Sequence, residues 1–216
     1  MKRLMLYTLF IAGAILLASC GLVGNQKDNL SKAPTAELIH LLEDEHEGGD
    51  NLFPEIIAEL TARGSSASEA APALARALAY NRRDSITASR PLVAMGPAAQ
   101  LAIPILLVNL SNERADVRLG SAFVLGTIGK TSQCAIPQLA PLLWDQDSRV
   151  RSATAAALQT ISGVELVDKI YELDPTVPGS VFLDEPDGTV SANAKAWWLA
   201  TGKNIKWPVG DCKPKE

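Results

Sequence analysis

Three glycines, Gly64, Gly96 and Gly129, stand 32 and 33 residues apart, and each is followed eight residues later by a proline: Pro72, Pro104 and Pro137. A fourth glycine, Gly163, closes the series one residue late. A period of this length restricts the chain to a few architectures, because each period must be one supersecondary unit repeated along the chain. Leucine falls two and six residues after each proline, as Leu74 and Leu78, Leu106 and Leu110, and Leu139 and Leu143. A spacing of four places both leucines on one face of a helix. The proline sits near the helix start, where a missing N–H is tolerated.

A polar turn follows each of these helices, at residues 81–84, 111–114 and 145–148. A second helix is then predicted. Val117, Ser121, Val124, Leu125 and Ile128 form an apolar or small-residue stripe, and Val150, Thr154, Ala157, Leu158 and Ile161 repeat its offsets. Gly129 and Gly163 stand where a helix would end in the left-handed conformation. The second unit departs from this pattern. Pro91 lies inside its second helix and predicts a kink or a late start, and Thr87 or a neighbour stands where Arg118 and Arg151 stand later.

The first unit is also irregular. Its first helix is expected over Ala36–Leu42 with Thr35 as N-cap, followed by an acidic loop over Glu43–Asn51. Its second helix keeps Leu52, Ile56 and Leu60, but Glu59 and Arg63 replace apolar positions. A polar face suits a terminal unit. A pair of helices of this size cannot bury its own apolar face, whereas several stacked pairs can.

The segments Gly96-Pro-Ala-Ala-Gln-Leu-Ala-Ile-Pro104-Ile-Leu and Asp145-Gln-Asp-Ser-Arg-Val150-Arg151-Ser-Ala resemble HEAT-like repeats, especially the short type first named in phycobilisome-lyase proteins. The resemblance spans roughly residues 35–163. It implies an all-α fold, an α-solenoid (superhelix) of about four helix pairs. It does not imply lyase activity, since this repeat type recurs in proteins that handle no bilin. In HEAT-like arrays the arginine matching Arg118 and Arg151 commonly pairs with an acidic residue of a neighbouring unit. The alternative is a partner-binding row, with Arg90, Phe123 and Trp144 beside Arg118 and Arg151.

The N-terminus carries a different signal. Lys2 and Arg3 precede an uncharged stretch from Leu4 to Ser19, short for a bilayer span of ~20 residues and suited to a signal peptide. It ends Leu17-Ala18-Ser19-Cys20, which resembles the lipobox of bacterial lipoproteins. The resemblance implies cleavage before Cys20, lipid on its thiol, and an envelope location. With Gly21 rather than Asp next, it implies the periplasmic face of the outer membrane where the host has one. Without residues 1–19 the chain has 18 Lys and Arg against 24 Asp and Glu, a net charge of −6. That balance does not suggest nucleic acid or a polybasic membrane contact. Residues 20–34 then form a lipidated cysteine and polar tether, 35–173 the repeat domain, and 174–216 a C-terminal loop and capping helix.

That last helix, from Ser191 through Ala200 and ended by Gly202, holds Trp197 and Trp198, with Ile205 and Trp207 beyond. Such aromatics either seal the last apolar face or form a binding platform. With Cys20 lipidated, Cys134 and Cys212 remain, either as a disulfide or as two thiols. Catalytic signatures are missing from the sequence: there is no Cys-x-x-Cys, phosphate-binding glycine loop or serine elbow. His40 and His46 do not share a helical face, and the acidic run from Glu43 to Asp50 lacks the ligand order of a calcium loop, so neither a metal nor another cofactor is expected. The expected role is a non-enzymatic, membrane-anchored scaffold for an unidentified envelope protein. The alternative is an accessory or chaperone of the lyase-like kind, assisting cofactor attachment or enzyme maturation.

Overall fold

The computed structural model describes residues 30–44, 52–80, 85–164, 189–207 and 212. Cys20, the acidic run around His46, the turn at 81–84, the end of the expected repeat domain from residue 165 and the loop expected from residue 174 to 188 lie outside the described residues. The chain divides into two compact units, residues 1–33 and 34–216. Of the first, residues 30–33 are described: 30–32 are helical, and the Ala33 N–H donates to the Leu30 carbonyl at 3.2 Å.

In the second unit all regular structure among the described residues is helical. The helices are α1 (Thr35–Asp44), α2 (Phe53–Arg63), α3 (Ala71–Tyr80), α4 (Ser85–Met95), α5 (Ile103–Asn109), α6 (Ala115–Ile128), α7 (Ile136–Leu139), α8 (Ser148–Ser162) and α9 (Thr189–Ala200). Each odd-numbered helix from α1 to α7 packs on the even-numbered helix that follows it. Between pairs, α2 packs on α4, α4 on α6 and α6 on α8, while α1 packs on α3 and α3 on α5. The leucines two and six residues after each proline are all buried, as are both predicted stripes of α6 and α8. Apolar faces that one pair leaves open are thus covered by the next, which is where the bulk of the hydrophobic stabilisation arises.

The connections between pairs are helical too. Gly64–Ala70, Gly96–Ala102 and Gly129–Ala135 are 3-10 segments that run directly into α3, α5 and α7. Each opens on a glycine with positive φ, +51°, +54° and +70°. At Gly64 and Gly129 ψ is −129° and −139°, so these two helices do not end in the left-handed conformation. They end in a region that a Cβ excludes, which only glycine enters at low cost. Gly163, with φ 74° and ψ 12°, does adopt the left-handed cap.

Three local expectations are corrected. Thr35 is the first residue of α1 rather than its cap; the carbonyl of Pro34 accepts from the N–H groups of Glu37 and Leu38, and the Thr35 hydroxyl accepts from Arg63 Nη1 at 3.2 Å. Helix α4 spans Ser85–Met95 with Pro91 inside it, so the proline does not make it start late. The helix predicted to carry Leu139 and Leu143 is split into α7 and a 3-10 segment, Ala140–Trp144. Pro141 there lacks the N–H that an α-helical turn would need.

By length and composition, the helical run Ile86–Asn109 is apolar enough to cross a membrane, with a mean hydropathy of 1.8. It comprises two helices, α4 and α5, joined by the 3-10 segment Gly96–Ala102. Gly96 turns the chain in its middle, and Leu92, Ala99, Ala102 and Leu106 are wholly buried within the array.

Helices α6 and α8 approach closely at Gly126. A Cβ built there would stand 3.1 Å from Ala157 Cα and 3.2 Å from its Cβ. Glycine inside a helix costs about 1 kcal/mol relative to alanine, and here its missing side chain lets α6 and α8 meet. Gly126→Val is expected to lower stability by about 1–3 kcal/mol through overpacking, read as a fall in the urea midpoint with unchanged slope.

Candidate interaction surface

The polar side chains that sequence reading singles out fall into two groups, those engaged within the array and those left outward. Arg118, near the start of α6, belongs to the first. Its Nε and Nη2 donate to the two carboxylate oxygens of Asp145 at 2.7 and 2.8 Å, and Nη1 donates to the carbonyls of Asn112 and Glu113 at 2.8 and 2.9 Å. The pair is well covered, with 15% and 6% of the two side chains exposed. A bidentate guanidinium–carboxylate contact in this setting is a strong, geometrically specific interaction. It joins the start of α6 to the turn before α8, which is the ladder contact between successive units.

Arg151 stands 33 residues later and makes the same backbone grip. Its Nη1 donates to the carbonyls of Asp145 and Gln146 at 3.0 and 3.2 Å. Among the described residues no carboxylate meets its guanidinium as Asp145 meets that of Arg118. Next to these carbonyls lies Trp144, with 49% of its surface exposed. Arg90 on α4 is exposed, and Phe123 on α6 is half-buried. Arg118 is therefore held by a carboxylate as well as by carbonyls, Arg151 is half-buried and held by carbonyls, and Trp144 and Arg90 are exposed. The row imagined from sequence is not a single set of equivalent side chains.

Further polar contacts join successive pairs. The Asn109 amide, almost fully buried, donates to the Ala75 carbonyl at 2.8 Å, joining α5 to α3. Arg114 Nη1 donates to the Ala79 carbonyl, and Arg76 pairs with Glu43. The last pair is about half exposed and contributes little stability. Sequence reading did not find the Asn109 contact, because an asparagine in an apolar run carries no mark of the carbonyl it will meet one period earlier.

Burial alone would raise the Asp145 pKa. The hydrogen bond from Arg118, the Asp147 N–H bonded to its Oδ1 at 2.9 Å, and the charge of Arg118 outweigh that and hold it below the ordinary carboxylate value. Asp147 caps α8 by accepting from the Arg149 N–H at 2.9 Å; its pKa is lowered chiefly by the Arg149 side chain. Burial raises the Tyr80 pKa, with the nearby Glu43 adding to it. Of the two shifted carboxylates, Asp145 serves the contact between units and Asp147 the start of α8.

Cys134, in the 3-10 segment before α7, is bonded to Cys212, 78 residues away, with a Cα–Cα distance of 5.8 Å. Closing a loop of that length removes about 4 kcal/mol of unfolded-state freedom in the chain-entropy picture. Helix α9 packs on α8 and on the Ala140–Trp144 segment, burying Ala194 completely. Lys195 Nζ lies 5.9 Å from the centre of the Trp144 ring, a cation–π distance. Trp197, Trp198 and Trp207 are half-buried. Trp197 lies 6.2 Å from each of the other two rings, at tilts of 53° to Trp198 and 59° to Trp207. Trp197 thus packs on Trp198 and Trp207, while Ala194 is the wholly buried side chain of α9 among the described residues. His40 pairs with Asp44 at 2.8 Å on an open surface. No group of three or more His, Cys, Asp or Glu side chains gathers among the described residues in a way that would hold a metal ion.

Removing one partner of a covered ion pair strands the other. Asp145→Ala is expected to cost about 3–5 kcal/mol in urea unfolding at neutral pH. The lowered pKa values of Asp145 and Asp147 give stability that is present above the ordinary value of 3.8 and lost as pH falls through the depressed values. The acid limb of the stability curve should therefore lie below that value and be shallower in Asp145→Ala.

No protein-family model matches the chain, no curated protein matches it, and no solved structure matches it.

Proposed function

We propose that this chain is a lipid-anchored interaction scaffold of the bacterial cell envelope, without catalytic activity of its own. In this reading residues 1–19 are a signal peptide, Cys20 carries the lipid, and the helix pairs from residue 35 onward wind as a HEAT-like α-solenoid. The observation that carries the scaffold reading is the contrast between Arg118 and Arg151. Both grip two backbone carbonyls in the same way, but Arg118 also holds Asp145, and no carboxylate among the described residues takes that place on Arg151. Arg151 grips the carbonyl of Asp145, the residue next to the half-exposed Trp144. Arginine and tryptophan are the residue types that most often dominate protein–protein contacts. A partner carboxylate on Arg151, flanked by contact with Trp144, would complete the unfinished rung.

The anchor and the surface are tested separately. Cys20→Ser should abolish incorporation of labelled fatty acid and move the protein from the membrane to the soluble fraction. For the surface, the lipidated protein is affinity-purified and its co-purifying proteins are identified by mass spectrometry. A reproducible partner should be recovered with the unaltered chain and weakened by about tenfold or more in Arg151→Glu and Trp144→Ala, the range expected for a hot-spot residue. Recovery of the same proteins in equal yield by both variants, with folding verified by circular dichroism, would sink the assignment of this surface.

A further inference from the structure

Three of the chain's four tryptophans, Trp197, Trp198 and Trp207, lie in α9 and the turn beyond it, and the fourth, Trp144, ends the 3-10 segment on which α9 packs. The first three build a small knuckle around the turn after α9. Trp207 Nε1 donates to the Gly202 carbonyl at 2.9 Å. A Cβ on Gly202 would stand 2.6 Å from Trp198 Cε3 and 3.0 Å from the Trp197 ring, so the turn lies flat against both indoles. What the knuckle presents outward is apolar and basic. Leu199 is 54% exposed and Ile205 39%, and Lys203 and Lys206 are exposed between and beside them. Residues 189–207 contain three lysines and no Asp or Glu, in a chain whose formal net charge is −4. The acids closest in sequence to Trp144, Asp145 and Asp147, are paired with Arg118 and Arg149.

We infer that this knuckle is a docking surface for an anionic lipid bilayer, the one that holds the lipid of Cys20 in the proposed function on which this inference rests. Exposed aliphatic side chains flanked by lysines, on a scaffold of indoles, fit the boundary between acyl chains and headgroups, where tryptophan is enriched. Each lysine beside an anionic surface favours association by roughly fivefold. The absence of carboxylates over 189–207 removes the repulsion that the rest of this acidic chain would meet there. A sugar or nucleobase is a poorer match, since rings tilted by 53° and 59° do not line up as a flat platform. The lipid at Cys20 then sets the distance of the protein from the membrane, and the knuckle sets which side faces it.

The test uses the full chain as extracted from the membranes of its host, reconstituted in vesicles of phosphatidylcholine alone or mixed equally with phosphatidylglycerol, with bromine-labelled acyl chains as quencher. Three of the four tryptophans lie in the knuckle, so in a Trp144→Phe chain quenching reports the knuckle alone. The expected result is tryptophan quenching several-fold greater in the mixed vesicles, abolished at about 1 M salt, where the Debye length falls to about 3 Å. Lys203→Gln with Lys206→Gln should lose the preference for phosphatidylglycerol, and Leu199→Ser with Ile205→Ser should lose quenching in both compositions. Equal quenching in the two vesicle types, its absence from both, or no change in either double variant would overturn the inference and leave the knuckle as a protein contact. Flotation with pure phosphatidylcholine reads the anchor independently. A chain that floats only with the mixed vesicles and is quenched there would overturn the Cys20 anchor and uphold the knuckle.

Discussion

A pair of helices about thirty residues long has more apolar surface than it can cover by itself. Everything in the described part of this chain follows from how that surface is covered by the neighbouring pair. Leu74, Leu106 and Leu139, one period apart, are wholly buried, and so are Leu125 and Leu158 on the second helices. Because the second helix of each pair packs on that of the next, one small side chain at a contact sets the spacing of two units. Gly126 against Ala157 is such a contact. The glycines that open the 3-10 connections, by adopting positive φ, set the direction in which each new pair begins.

Apolar packing of this kind is tolerant of sliding, since one leucine face fits another in several ways. The polar contacts are not tolerant. The Arg118 fork meets both oxygens of Asp145 and two carbonyls at once, and the Asn109 amide has the Ala75 carbonyl as its buried acceptor. Breaking either leaves a buried polar group without a partner, which costs more than the bond contributes when made. These contacts hold neighbouring units in one register while the leucines supply most of the stabilisation.

The same division separates structural from available side chains. An arginine in the middle of the array has a following turn to supply its carboxylate. One at the last described pair retains its backbone grip, and on the proposed reading its remaining donors face a partner. The C-terminal element adds a second kind of surface, with lysines and aliphatic side chains displayed on packed indoles and the chain around it tied back to the array through Cys134 and Cys212. Protein contact along the array and membrane contact at its end are compatible, because they use different side chains.

The period of glycines and prolines and the leucine spacing were legible in the chain and determined its helical character, the order of its helices and the residues of its core. Local preference suffices for that, since a helical face is decided by neighbours three and four residues apart. The helical nature of the connections was not legible, because a 3-10 segment carries no periodic signature of its own. Nor was the course of α4 through Pro91, which packing against α2, α3 and α6 overrides. Among the candidate site residues, Arg118 and Arg151 hold the same position in the period. Tertiary structure alone separates them, because whether a guanidinium is held or open depends on a carboxylate that arrives from 27 residues away.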